Sequence, residues 1–268
     1  MKSFLVILFI LSSFIVQEKG SVEVYRIEKE EYIELHARNT NLFPVTIEID
    51  LEIKHLRPDK KLPVVDFLPP GSNKKMLNLT FTDKQKGWDV RSQYRYYMGN
   101  IFAKHKDTFA YQLPFPKGET YKIDQGFGGA FSHQGDLRHS LDFNMPTGTE
   151  IYAARGGTVV MMEEKYNQGG ASEDMMKYAN FITILHDDGT FADYTHLKHR
   201  GVEVSLGQEV RMGQLIGYSG ATGYTTGPHL HFVVKKTKKG GGFLSIPVKF
   251  TTKAGIMELR EGQSYLGY

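Results

Sequence analysis

The chain has 268 residues, 40% of them apolar and 12% aromatic, enough to bury a core in one large domain or two smaller ones, which excludes disorder as its default state. Its 33 basic and 30 acidic residues give a net charge of +3 and are spread along the chain, without the long basic face that neutralises phosphates, so nucleic acid is not an expected partner. There is no cysteine, which excludes disulfides and thiolate ligands and leaves histidine and carboxylate to hold any metal.

The chain opens MKSFLVILFILSSFIVQEKG: one lysine, an apolar run from Phe4 to Leu11 extended by Phe14 to Val16, then a polar stretch. That run is short for a bilayer span and reads as the core of a signal peptide over residues 1–20, which sends the rest of the protein to the periplasm or the exterior. No A-x-A pattern precedes Gly20, so retention as an uncleaved membrane anchor is the alternative.

Residues 21–113 read as short strands separated by the turn clusters RNTN, RPDKK, PPGSNKK, DKQKG and MGN. In VTIEIDLEI, Val45, Ile47, Ile49, Leu51 and Ile53 alternate with Thr46, Glu48, Asp50 and Glu52, the pattern of a half-buried antiparallel strand; Leu77, Leu79 and Phe81 mark another. Strands this short must bury one face against a second sheet, so a small β-sandwich-like domain is expected. Its histidines, His36, His55 and His105, are isolated in sequence and read as surface or packing residues.

LPFPKGET, residues 113–120, marks a boundary, with a second domain expected over 114–252 and a tail over 253–268. The texture changes to glycine-rich strands: EIYAARGGTVVMME, NFITILHDDGTFADYTHL, GVEVSLGQEVRMGQLIGYSG and GPHLHFVVKK. Long helical periodicity is absent, so this domain too is expected to be an antiparallel β-sheet and the whole chain all-β. Residues 163–180 form a long irregular insertion, either a functional wall or a surface loop.

In PHLHF, side chains two apart on a strand share a face, so His229 and His231 point together while Leu230 and Phe232 face the core. Neutral imidazoles suit zinc, and an adjacent pair can divide the work, one binding the metal and the other meeting its water. Such a pair needs partners. In DYTHL, His196 ends a strand-like segment and is expected on the same face as Tyr194; in SLDFNMP, Asp142 falls with Ser140 and Asn144 on the polar face, opposite Leu141, Phe143 and Met145.

The runs HSLDFNMPTGTEIYAARGGTVV, NFITILHDDGTFADYTHL and GVEVSLGQEVRMGQLIGYSGATGYTTGPHLHF together resemble the LytM/lysostaphin type of zinc endopeptidase, the M23 peptidase family. The resemblance implies that Asp142 and His231 are zinc ligands and that His196 and His229 are the catalytic histidines. In the common pattern of that family a histidine four residues before the aspartate completes the set, but that position is Arg138 here. His139 is three before Asp142, and on a regular strand odd spacing puts it on the Leu141/Phe143 face, usable only through a bulge. His133 is nine before, with QGD between as a turn that can re-aim the imidazole, so His133 is the expected first ligand and His139 the alternative.

Three protein ligands would leave zinc a fourth position for water, the layout of a catalytic site, and zinc lowers the pKa of such a water toward about 7. No H-E-x-x-H helix is present, so histidines must replace the glutamate base of many metalloproteases: His229 to take the proton, His196 to stabilise the oxyanion or relay a proton to the leaving amine. The resemblance implies an exported enzyme with one zinc ion that hydrolyses stem peptides or cross-bridges of peptidoglycan. KKTKKGGG, residues 235–242, reads as a solvated basic turn, with contact to acidic wall peptides as the alternative. A reading from another class is a non-catalytic regulator that keeps the fold and binds cell-wall amidases; retention of His133, Asp142, His196, His229 and His231 argues against it. A biotin- or lipoyl-type carrier, suggested by GQEVRMGQLIG, lacks the modifiable lysine, since Arg211 and Met212 stand where a Met-Lys pair belongs.

Overall fold

A computed structural model of the protein describes residues 20–268; the signal segment expected over residues 1–20 lies, Gly20 apart, outside the described residues. The amino-terminal part comprises β1 (Val22–Glu28), β2 (Tyr32–Asn39), β3 (Val45–Lys54), β4 (Leu56–Pro58), β5 (Val64–Leu68), β6 (Asn73–Phe81) and β7 (Asp89–Met98). β3 lies between β5 and β7, and a four-stranded sheet of order β1-β2-β6-β4 covers it, all pairs being antiparallel. The alternation along β3 does what it predicts: Val45, Ile47 and Ile49 are fully buried and pack with Ile33, Leu35, Leu77 and Leu79 of the other sheet.

Two departures from alternation have local causes. Thr46, on the solvent side by parity, is fully buried because the chain leaving the sandwich crosses it. Its hydroxyl donates to the Gly99 carbonyl at 2.7 Å and accepts the Ile101 N–H at 3.1 Å. In β6 a register shift opposite Leu35 and His36 turns both Met76 and Leu77 into the core.

The rest of the chain forms β8 (Ala110–Tyr111), β9 (Thr120–Gln125), β10 (Ser140–Asn144), β11 (Glu150–Tyr152), β12 (Gly157–Glu163), β13 (Gly169–Gly170), β14 (Phe181–Leu185) and β15 (Phe191–Thr195). It continues with β16 (Leu197–Val202), β17 (Glu209–Val210), β18 (Leu215–Ser219), β19 (Gly223–Tyr224), β20 (His229–Thr237), β21 (Phe243–Ser245), β22 (Lys249–Thr252), β23 (Gly255–Met257) and β24 (Ser264–Leu266). Among the described residues, one nine-stranded sheet runs β17-β12-β14-β15-β20-β10-β9-β24 with β21 added to β20, and its pairs are antiparallel. The protein is therefore all-β, as the sequence texture implies. Leu141, Phe143, Tyr194, Leu230 and Phe232 alternate into a core separate from that of the sandwich; removing a side chain such as Phe232 from water is worth about 2–3 kcal/mol.

Residues 253–268 do not form a free tail. β24 pairs with β9 at the sheet edge, Leu259 and Tyr265 are buried in the core, and Glu261 accepts the Gly126 N–H at 3.1 Å. The sandwich docks where β20 ends: Thr237 Oγ1 donates to the Met98 carbonyl at 2.9 Å, and a Cβ on Gly99 would fall 1.8 Å from Thr237 Oγ1. Lys106 N–H also reaches Asp188, in the turn between β14 and β15, at 3.2 Å. The basic turn after Thr237 is at this same end, with Lys235 paired to Asp193 and Lys238 to Asp136. It therefore lies at the opposite end of β20 from His229.

Just after β14, His186 is 2% exposed; Nδ1–H donates to the Gly156 carbonyl at 2.9 Å and Nε2 has no partner. Burial pushes its pKa from 6.5 down to about 4, with the nearby Arg155 charge adding to the effect. Below about 6.5 the unfolded chain takes up a proton that the folded chain refuses until about pH 4. Stability should therefore fall as pH drops through that window, by up to about 3 kcal/mol from this group. Denaturant titrations of wild type and His186→Leu at pH 7 and pH 4.5 test this. The wild type should lose more stability between the two, and equal losses would refute the assignment.

Candidate metal centre

β10 and β20 pair so that Asp142 stands opposite His231 and Asn144 opposite His229, and β15 places Thr195 on the other side of His231. Leu230 and Phe232 are buried while His229 and His231 point together out of the opposite face, as the two-residue period requires. The result is a carboxylate beside two imidazoles: Asp142 Oδ1 lies 2.8 Å from His231 Nδ1 and 3.7 Å from His229 Nε2.

His196 reaches the site by breaking parity. Tyr194, expected on the same face, is fully buried, pairs with Phe232, and accepts the Ala154 N–H at its hydroxyl. His196 sits one residue past β15 with φ +66°, a left-handed conformation that costs about 1 kcal/mol or more. That twist swings its ring out of the core direction to within 4.6 Å of the His229 ring.

His133 arrives from the loop between β9 and β10. It is fully buried, and its Nδ1–H donates to the Gly126 carbonyl at 2.9 Å, which in the neutral ring leaves the lone pair on Nε2. Nε2 has no hydrogen-bond partner and faces Asp142 Oδ1 at 3.2 Å. Ligand atoms of His133, Asp142 and His231 all lie within 4.8 Å of one another. His139 is not part of this cluster. It lies on the other side of β10, its Nδ1–H donating to the Ser245 carbonyl at 3.1 Å and its ring edge-on to Phe127. A bulge does occur beside Asp142, but it is in β9 and leaves the facing of β10 unchanged.

Backbone carbonyls fix the other rings too. His196 Nδ1–H donates to Thr222 O at 2.7 Å and His229 Nδ1–H to Gly227 O at 2.9 Å, so both turn Nε2 toward the centre. Burial, with the neighbouring His229 and His231, pushes His196 down to about 3 and keeps it neutral. Burial alone would raise Asp142; the imidazoles of His133 and His231 beside it overcome this and hold the carboxyl well below the usual range.

The cluster floors a cleft of about 550 Å³. Phe131 and Tyr224 stack at 5.9 Å on one side, while Asp124, Asn144 and Glu261 line another part of the wall. Among the described residues, none that lines the cleft comes from the amino-terminal sandwich or from the 163–180 insertion. The insertion braces the wall from behind: β13 pairs in parallel with β19, and Asn180 bonds Tyr166 and, through its N–H, Thr222 Oγ1. Gly169 is required there, since a Cβ would lie 2.0 Å from the Ala221 carbonyl. Gln125, which carried no signal in the sequence, lies directly against Asp142, its Nε2 donating to Oδ2 at 2.9 Å.

Residues 137–241 match the model of Peptidase family M23, a span that includes Asp142, His196, His229 and His231 but begins after His133. An uncharacterized metalloprotease of Buchnera aphidicola is 28% identical over 82% of this chain and 58% of its own length. The peptidoglycan DD-endopeptidase ShyA of Vibrio cholerae is 33% identical over 50% of this chain and 30% of its own. The glycyl-glycine endopeptidase ALE-1 of Staphylococcus capitis is 34% identical over 50% of this chain and 35% of its own. The chain thus spans between about a third and three-fifths of the length of these relatives.

Proposed function

Because this chain carries a domain of peptidase family M23, we propose that it is an exported zinc endopeptidase that hydrolyses peptide bonds of peptidoglycan. The observation that supports the metal reading is the pairing of two acceptors in a buried place. His133 Nε2, its other ring nitrogen held by the Gly126 carbonyl, faces the Asp142 carboxylate at 3.2 Å with no hydrogen-bond partner. A buried ring nitrogen left without a hydrogen-bond partner beside a carboxylate is a place that a cation would satisfy, and an N/O donor set of two imidazoles and one carboxylate suits zinc.

His133, Asp142 and His231 would hold the ion, and when bound it supplies Lewis acidity that acidifies water and polarises the scissile carbonyl. His229 and His196 both turn Nε2 toward the cleft, their Nδ1–H groups being held by backbone carbonyls. His229, nearer Asp142, is placed to accept the proton of the attacking water. With its Nδ1–H committed to Thr222 O, neutral His196 has no proton to offer an oxyanion. It serves better as a relay that takes a proton and delivers it to the leaving amine. The substrate class follows from the relatives named for peptidoglycan and glycyl-glycine bonds, and an open, partly aromatic cleft suits an extended peptide.

Digestion of purified cross-linked muropeptides, read by mass spectrometry, tests this. The chain as it stands should convert dimers to shorter peptides, with no prior removal of the sandwich, since none of the sandwich's described residues lines the cleft. An unchanged muropeptide profile from fully zinc-loaded protein would refute hydrolysis and favour a regulator.

A further inference from the structure

We propose that Gln125 is the positioning residue of the metal centre: its buried amide selects the oxygen of Asp142 that faces the ion and anchors the loop that delivers His133. The inference rests on the zinc reading above. Gln125 ends β9 and is 8% exposed. Nε2 donates to Asp142 Oδ2 at 2.9 Å and to Ser132 Oγ at 2.8 Å, while Oε1 accepts the N–H groups of Phe131 and Ser132 at 2.9 and 3.0 Å. Both donors and both lone pairs are used, which fixes the orientation of the amide: reversed, its oxygen would face the carboxylate and its NH₂ would face two N–H donors.

Two consequences follow for the ligands. With Oδ2 taken by Gln125, Oδ1 alone is turned toward His133 and His231. The residue before His133 is held by Gln125 at both its N–H and its hydroxyl, so this one side chain joins the loop directly to Asp142, alongside the bonds that Gln134 and His133 make within the loop. Gly129 lets the loop close over this side chain, since a Cβ there would lie 2.2 Å from Gln125 Cγ.

The backbone is arranged to put an amide in this place. β9 and β10 pair Asn144 with Lys122 and Phe143 with Ile123, and continuing that register would set Asp124 opposite Asp142. The bulge at this point passes over Asp124 and sets Gln125 there instead. A donor to the carboxylate thus replaces a like charge.

Zinc affinity, measured by chelator competition on the full chain, and the visible bands of the cobalt(II)-loaded protein test the role. Gln125→Met keeps the length and removes every hydrogen bond; Gln125→Glu keeps the two bonds to the loop N–H groups and replaces the NH₂ that donates to Asp142 and to Ser132 Oγ; Ser132→Ala removes the Ser132 hydroxyl alone. Gln125→Met should bind zinc about 10- to 100-fold more weakly, the range for residues that orient ligands, and both Gln125 variants should shift the cobalt bands. Ser132→Ala, which keeps the amide on Asp142 and the loop N–H bonds, should move both readouts less than either Gln125 variant. A purely structural glutamine would lower the melting temperature of the metal-free protein without moving the bands. Zinc affinity and cobalt bands equal to wild type in both Gln125 variants would overturn the proposal while leaving the zinc reading intact, whereas a wild type that takes up no zinc would remove both.

Discussion

Alanine at His133 is expected to strip zinc from the purified protein and abolish hydrolysis, while alanine at His139 should leave one zinc per chain. Protein zinc sites of zinc-finger type are worth about 10–16 kcal/mol, so losing one of three protein ligands forfeits roughly a third, an affinity loss on the order of 10³-fold. His139 instead holds the Ser245 carbonyl and packs on Phe127, and its removal should cost about 1 kcal/mol of stability. Metal analysis after dialysis, alongside a melting curve, separates the two. Zinc lost from His139→Ala and kept in His133→Ala would reverse the ligand assignment.

That contrast shows what was legible in the sequence. Period-two alternation correctly gave the facing of Asp142, His229 and His231, because β10 and β20 are regular and one face of each is buried. The same rule misplaced His196 relative to Tyr194. A single residue with positive φ after the strand redirects the ring, and nothing in Thr-His-Leu marks a left-handed histidine. Parity also argued for His133 over His139 and found the cluster the structure brings together, but only by exclusion. The positive reason is Gln125, whose four hydrogen bonds join the loop to Asp142 across a bulge. Its sequence context, TYKIDQGFGG, reads as an ordinary strand end, because a bulge is decided by pairing with a distant strand. Residues 253–268, expected as a tail, instead hold a strand that pairs with residues more than a hundred positions earlier, a partnership that no local pattern reveals.

Alanine at His229 is expected to lower kcat on muropeptides by about 10³-fold with zinc content unchanged, the middle of the range for removing a positioned general base. The expectation depends on a division of labour that the geometry supports. His231 Nδ1 touches Asp142 Oδ1 at 2.8 Å, whereas His229 Nε2 stands back at 3.7 Å, outside the group of ligand atoms and open to the cleft. Its Nδ1–H is spent on Gly227 O, so Nε2 is an acceptor and nothing else in the neutral ring. His196→Ala should also lower kcat and spare zinc, and the two rings at 4.6 Å are close enough to act on one proton. If they do, the double variant will be little worse than the worse single one, since groups acting as a unit are not additive. Additive losses would mean separate tasks, with His229 as base and His196 serving the leaving group independently. Zinc lost from His229→Ala would instead make it a ligand and end its reading as the base.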